Sequence, residues 1–126
     1  MPKIKLGAFM IDCKDLHELA SFYSALLQWE IVYEGDEYAV IFPPDKKRGT
    51  YLAISFQQNP DYVPPVWPTE PNAQQQMAHL DFNVDDLQKA VQHAINCGAR
   101  IADKQFSEKW TVLFDPAGHP FCLVQK

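Results

Sequence analysis

His79 and Asp81 stand two residues apart in a segment of alternating character, His79-Leu80-Asp81-Phe82-Asn83-Val84. On an extended chain alternate side chains share a face, so His79, Asp81 and Asn83 project to one side and Leu80, Phe82 and Val84 to the other. An imidazole beside a carboxylate has two uses. Asp81 can orient His79 and raise its basicity, making it a proton acceptor near neutral pH, or the two can be polar anchors of a binding pocket in which no proton moves. Cys122 is a third reactive group. A thiol next to an imidazole can be activated as a nucleophile, but Cys122 lies between Phe121 and Leu123 with no neighbouring cation, and an inert buried thiol is the preferred reading. Met10, Phe56, Trp110 and Cys122 are the expected ligand-binding residues, with Met10, Phe56 and Trp110 as the apolar lining. A mainly apolar pocket with a few polar anchors suits a small aromatic or hydrophobic molecule, on which Trp110 would stack or whose cavity it would seal. His119, in a Gly-His-Pro turn, is expected to shape its loop, and His17 and His93 to lie on solvated helix faces.

Two similar stretches of chain must position these groups. Phe9 to Leu16 lies over Leu80 to Leu87 in the same order of events: a short run rich in apolar residues, then an aspartate, Asp15 or Asp86, suited to accept a free backbone N–H at a helix start. Leu16, Leu19, Ala20, Tyr23 and Leu27 follow helical spacing, as do Leu87, Ala90, Val91, Ala94 and Ile95, with Gly98 placed to end the second helix. Segments suited to strands come next: Glu30 to Tyr33, Tyr38 to Phe42 and Thr50 to Gln57 after the first helix, then Arg100 to Ala102, Trp110 to Phe114 and Phe121 to Val124 after the second. The chain therefore reads as a single domain, 1–126, of two strand-helix-three-strand modules, about 1–58 and 77–126. Residues 59–76 hold five of the ten prolines and no usable periodicity, which predicts an extended connector. Its Trp67 is expected to press onto a sheet.

Composition excludes several classes. A chain of 126 residues with 47% hydrophobic content is one globular domain. With 16 acidic against 11 basic residues, no long-range field draws it to nucleic acid or anionic lipid, and basic residues cluster only at Lys46, Lys47 and Arg48. No apolar run reaches the ~20 residues of a membrane-spanning helix, and Met1 to Lys5 leads into a mixed segment rather than a secretory core, so a cytoplasmic protein is expected. Cys13, Cys97 and Cys122 contain no close pair, which argues against a disulfide framework and against a thiolate zinc site.

A strand-helix-three-strand unit used twice, opened in its second copy by His79-Leu80-Asp81 and closed by Asp115-Pro116-Ala117-Gly118-His119-Pro120-Phe121-Cys122-Leu123, resembles the vicinal oxygen chelate superfamily. Within it the chain is similar to compact glyoxalase-like and bleomycin-resistance-like proteins. Asp15 with Phe22-Tyr23, Pro64-Pro65-Val66-Trp67-Pro68, Gly98-Ala99-Arg100 and Trp110 extend the resemblance over nearly the whole chain. It implies an α+β fold of two paired βαβββ modules, each curling a four-stranded sheet partway round a cavity, and a homodimer. Metal-using members take ligands from the first and last strands of each module. Of these positions His79 matches, Ala8 carries only a methyl group, Cys122 stands where a glutamate would be, and the strand Tyr51 to Gln57 offers only Ser55 and Gln57. With His79 the only clear family ligand, no cofactor is expected and a divalent metal is a minor alternative. Gln28 replaces the glycine that usually ends the first helix ahead of Trp29, so that end needs a different cap.

The function implied is small-molecule binding in the manner of bleomycin-resistance proteins. A lyase or isomerase using His79 and Asp81 as an acid-base pair is the alternative, and a protein-interaction module is the least favoured class. Neither a nucleic-acid partner nor a membrane is expected.

Overall fold

The computed structural model describes residues 1–47 and 50–126 and divides the chain into two compact units, Met1–Tyr62 and Val63–Lys126. Arg48, the last member of the expected basic cluster, lies outside the described residues. The first unit contains β1 (Ala8–Cys13), α1 (Leu16–Leu27), β2 (Glu30–Glu34), β3 (Tyr38–Phe42) and β4 (Ala53–Gln58), and the second contains β5 (Leu80–Val84), α2 (Leu87–Cys97), β6 (Arg100–Ile101), β7 (Trp110–Phe114) and β8 (Pro120–Gln125). Each unit forms a four-stranded mixed sheet, in the order β1-β4-β3-β2 or β5-β8-β7-β6. The α+β class and the βαβββ pattern of both modules are those expected from the sequence. No described helix is long and apolar enough to cross a membrane.

Both helices start where the aspartates direct. The Asp15 carboxylate accepts from the Glu18 N–H at 3.1 Å and that of Asp86 from the Lys89 N–H at 3.2 Å, each satisfying a backbone donor that the helix cannot. A pair of glutamines adds a second tie. Gln58 at the end of β4 accepts the Leu16 N–H and donates to the Lys14 carbonyl, while Gln125 at the end of β8 accepts the Leu87 N–H and donates to the Asp85 carbonyl. Helix α1 ends at Gln28, which takes the left-handed conformation (φ 58°, ψ 40°) in place of a glycine.

Helix faces and strand faces meet as their periods require. Leu16, Leu19, Ala20, Phe22 and Tyr23 are buried, and the Tyr23 ring stacks on Phe56 at 5.5 Å. In the second unit Ala94 is buried while Ile95 remains 38% exposed, so the apolar stripe of α2 is narrower than its sequence spacing predicts. Phe121, Leu123 and Leu113 supply the sheet side of that core. Where β6 ends, the Gln105 side chain continues its pairing, donating to the Ala102 and Val112 carbonyls and accepting from the Val112 N–H.

No helix or strand forms between β4 and β5. Residues 59–62 fall within the first unit and residues 63–76 within the second. Trp67 packs against Phe114 and Phe106, with ring centroids 6.3 and 5.8 Å apart, and onto the buried cluster of Ala102, Val112 and Phe114. This is the strap-on-sheet role expected for it.

Candidate functional site

In the second unit strand pairing collects the polar groups on the sheet face turned away from α2. The parallel β5–β8 register sets Asp81 beside Cys122 and Asn83 beside Val124, and the antiparallel β7–β8 register adds Val112 beside Cys122 and Trp110 beside Val124. His79 precedes β5, with its Nε2 3.1 Å from Asp81 Oδ1. Their side chains are 42% and 57% exposed, which leaves both open to a ligand and makes the contact energetically weak on its own. Trp110, at 37% exposure, presents aromatic surface on this same face.

Cys122 is partly buried. Burial, the nearby Asp81 charge and a hydrogen bond to Asp81 push its thiol up to about 11. A thiol held protonated donates to a carboxylate and does not attack, which agrees with the inert reading and gives no support to a nucleophile.

The donor atoms of His79, Asp81 and Cys122 all lie within 4.8 Å of one another, close enough to be considered together as metal donors. Register assigns the remaining family positions. Ser55 sits beside Met10 in β1–β4 as Cys122 sits beside Asp81 in β5–β8, and each is followed three residues later by the helix-tying glutamine. The corresponding places in the two modules are therefore Ala8 and Ser55 in the first and His79 and Cys122 in the second. A methyl and a 3%-exposed hydroxyl cannot replace the missing imidazole and carboxylate. The four-donor ion of the family does not fit this chain.

The first unit's face away from α1 carries Met10, Ser55 and Val40 in one row and Asp12, Gln57 and Tyr38 in the next. Asn59 Nδ2 donates to Asp12 at 3.0 Å. Phe56 is a correction. Expected beside Met10 in a pocket, it instead points to α1, fully buried against Tyr23, because β4 turns Ser55 and Gln57 toward Met10 and so turns Phe56 away. Within its own unit the structure thus brings together His79, Asp81, Cys122 and Trp110, places Met10 on the corresponding face of the other unit, and removes Phe56 from the site.

The remaining histidines stay outside this cluster. His17 Nδ1 is 2.6 Å from Glu34 Oε2, and this hydrogen bond, with the Glu34 charge, raises its pKa. His93 Nε2 is 3.8 Å from Cys97 Sγ on the same helix. His119 lies in the loop organised by buried Asp115, whose carboxylate accepts the Ala117 and His119 N–H groups at 2.9 and 3.0 Å. Sequence reasoning missed the helix-tying glutamines, although each ends the last strand of its module and could have been found by extending the repeat.

Comparison with known proteins agrees with this fold. A family model described as a glyoxalase-like domain matches residues 8–124. Among solved structures, a glyoxalase/bleomycin resistance/dioxygenase family enzyme from Burkholderia phytofirmans PsJN is 16% identical, with 97% of this chain and 98% of that chain covered and a TM-score of 0.69. A genomically encoded fosfomycin resistance protein from Listeria monocytogenes is 12% identical, with coverages of 99% and 95% and a TM-score of 0.69. A bleomycin-binding protein complexed with bleomycin is 19% identical, with coverages of 98% and 99% and a TM-score of 0.60. No curated protein sequence matches significantly.

Proposed function

Because the chain belongs to the glyoxalase-like domain family of the vicinal oxygen chelate superfamily, we propose that it binds a small, partly aromatic or hydrophobic molecule on the helix-free face of its second sheet. The observation that carries this reading is the grouping of exposed His79, Asp81 and Trp110 around Cys122 on one face. Trp110 would supply a stacking surface and the His79–Asp81 pair polar anchors, the combination typical of small-molecule sites. The bleomycin-binding relative supports the ligand class. On this reading the domain comprises both modules, and the protein works as a cytoplasmic homodimer. Support for a covered second surface comes from the first sheet, where Met10, Tyr33 and Tyr38 are 40–47% exposed on the face away from α1.

Catalysis by the same residues is the second reading, favoured by the 3.1 Å contact between His79 and Asp81. A carboxylate at that distance can hold the imidazole in one orientation while its other nitrogen takes a proton from substrate, as a lyase or isomerase requires.

A thermal-shift screen of bleomycin, fosfomycin and small aromatic metabolites on wild type, Trp110→Ala and His79→Ala tests both. A ligand at a hundred times its dissociation constant should stabilise the protein by ~2.7 kcal/mol, and Trp110→Ala should weaken that shift. Turnover lost in His79→Ala with binding retained would favour the enzyme. Stabilisation unchanged by either substitution would overturn the site. Size-exclusion chromatography at micromolar concentration showing only monomer would remove the dimer.

A further inference from the structure

A cleft of about 340 Å3 opens in the second unit between the proline-rich strap, residues 64–68, and the β6–β7 edge. Its volume lies within the range of small-molecule sites, and its lining includes none of His79, Asp81, Trp110 or Cys122. Arg100 pairs with Phe114 across β6–β7, and its guanidinium carbon lies 4.6 Å from the Phe114 ring centroid, so a cation–π contact orients the charge at the cleft wall. Lys104 also lines the cleft, with its Nζ 5.6 Å from the Phe106 centroid. Asp103 is the single acid of the lining, which leaves an excess of positive charge.

Aromatic surface adjoins these cations. Trp67 lines the cleft and meets Phe106 edge-on, and Phe106 remains 59% exposed. The wall is also held in place. The Val66 N–H donates to the Gln74 carbonyl at 2.8 Å, and Pro64 lies so near Gly118 that a Cβ there would approach within 3.0 Å, at a φ of +89° that already favours glycine. A site formed before its ligand arrives spends less binding energy on ordering.

We infer that this cleft binds a planar aromatic carboxylate, with its ring along Trp67 and its carboxylate on Arg100, Lys104 adding charge. The guanidinium fork matches the two carboxylate oxygens, and such charge-assisted pairs are stronger than neutral hydrogen bonds. A neutral aromatic gives up those bonds. An inorganic anion gives up the ring contact.

The test is a titration with naphthoate, naphthalenemethanol and inorganic phosphate, followed by the NMR signals of the tryptophan indole N–H groups, with Trp67 assigned through Trp67→Phe. Naphthoate should move the Trp67 signal. Naphthalenemethanol and phosphate should each bind at least tenfold more weakly, and Arg100→Gln should weaken naphthoate binding by about tenfold, the loss expected for a charge-assisted pair. Lys104→Gln should cause a smaller loss, and His79→Ala none. Circular dichroism establishes that each variant is folded. No Trp67 response at millimolar naphthoate, equal binding by Arg100→Gln, or a response centred on Trp110 and lost in His79→Ala would overturn the assignment; the last of these would place the ligand on the sheet face instead.

Discussion

Gln125 holds the start of the second helix as Gln58 holds the start of the first. Each amide accepts the first helical N–H, from Leu87 or Leu16, at 2.9 Å, and donates to the carbonyl just ahead of the capping aspartate. The duplication thus extends beyond the strand and helix pattern to one side chain that joins the last strand of each module to the beginning of its helix. Gln58→Ala and Gln125→Ala should each cost about 1–2 kcal/mol, since two side-chain bonds are lost at a net ~1 kcal/mol apiece. Urea unfolding measures this, and an unchanged midpoint would deny the glutamines any energetic role.

The end of α1 predicts a gain. Gln28 holds φ 58° and ψ 40°, a conformation that costs a residue with a Cβ roughly 1–2 kcal/mol and a glycine little. Gln28→Gly should raise stability by about 1 kcal/mol after its greater unfolded-state entropy is subtracted. Thermal unfolding checks the sign, and a lower midpoint would mean that the Gln28 side chain makes compensating contacts.

Cys122 predicts a pH dependence. Its thiol is raised from 9.0 to about 11 in the folded protein. The folded state therefore holds the proton more tightly than the unfolded one, so this group's contribution is fully present below pH 9 and is lost as pH rises toward 11. Asp81→Asn removes the carboxylate charge and should lower the thiol pKa and speed alkylation of Cys122 at pH 8–9. Alkylation rates measured against pH in a Cys13→Ser, Cys97→Ser background would decide it. A rate that does not change on Asp81→Asn would mean that burial alone sets the thiol.

The donor set predicts a metal analysis. With Ala8 and Ser55 at two of the four family positions, protein purified without chelators or affinity metal should contain far less than one equivalent of zinc, nickel, iron or manganese per chain. Elemental analysis is the measurement. One equivalent that disappears in His79→Ala would show that His79, Asp81 and Cys122 suffice as a tripod.

His17 supplies a control outside the candidate site. Its pKa is raised by the hydrogen bond and charge of Glu34, so the stability the pair contributes is present below 6.5 and is lost as pH rises through the higher folded value. Glu34→Gln should return the His17 titration, followed by NMR, toward its ordinary position. Persistence of the raised value would assign it to Asp15 and Asp36, the other nearby acids.

The residues alone determined the modules. Helix caps, apolar stripes and strand alternation are local signals, carried by neighbours within a turn or a pleat, and Asp15, Asp86, Gly98 and the segments Tyr38–Phe42 and Trp110–Phe114 are where those signals place them. Alternation likewise separated Asp81 and Asn83 from the half-buried Leu80, Phe82 and Val84. Tertiary structure decided whatever depends on register between distant strands. A shift of one residue exchanges the faces of a strand, and no local feature of Ala53–Gln58 states whether Ser55 or Phe56 shares a face with Met10; pairing with β1 and packing of Tyr23 assign that place to Ser55. The same holds for Asp81 beside Cys122 and for Arg100 over Phe114, contacts made by hydrogen-bonded ladders that join parts of the chain remote in sequence.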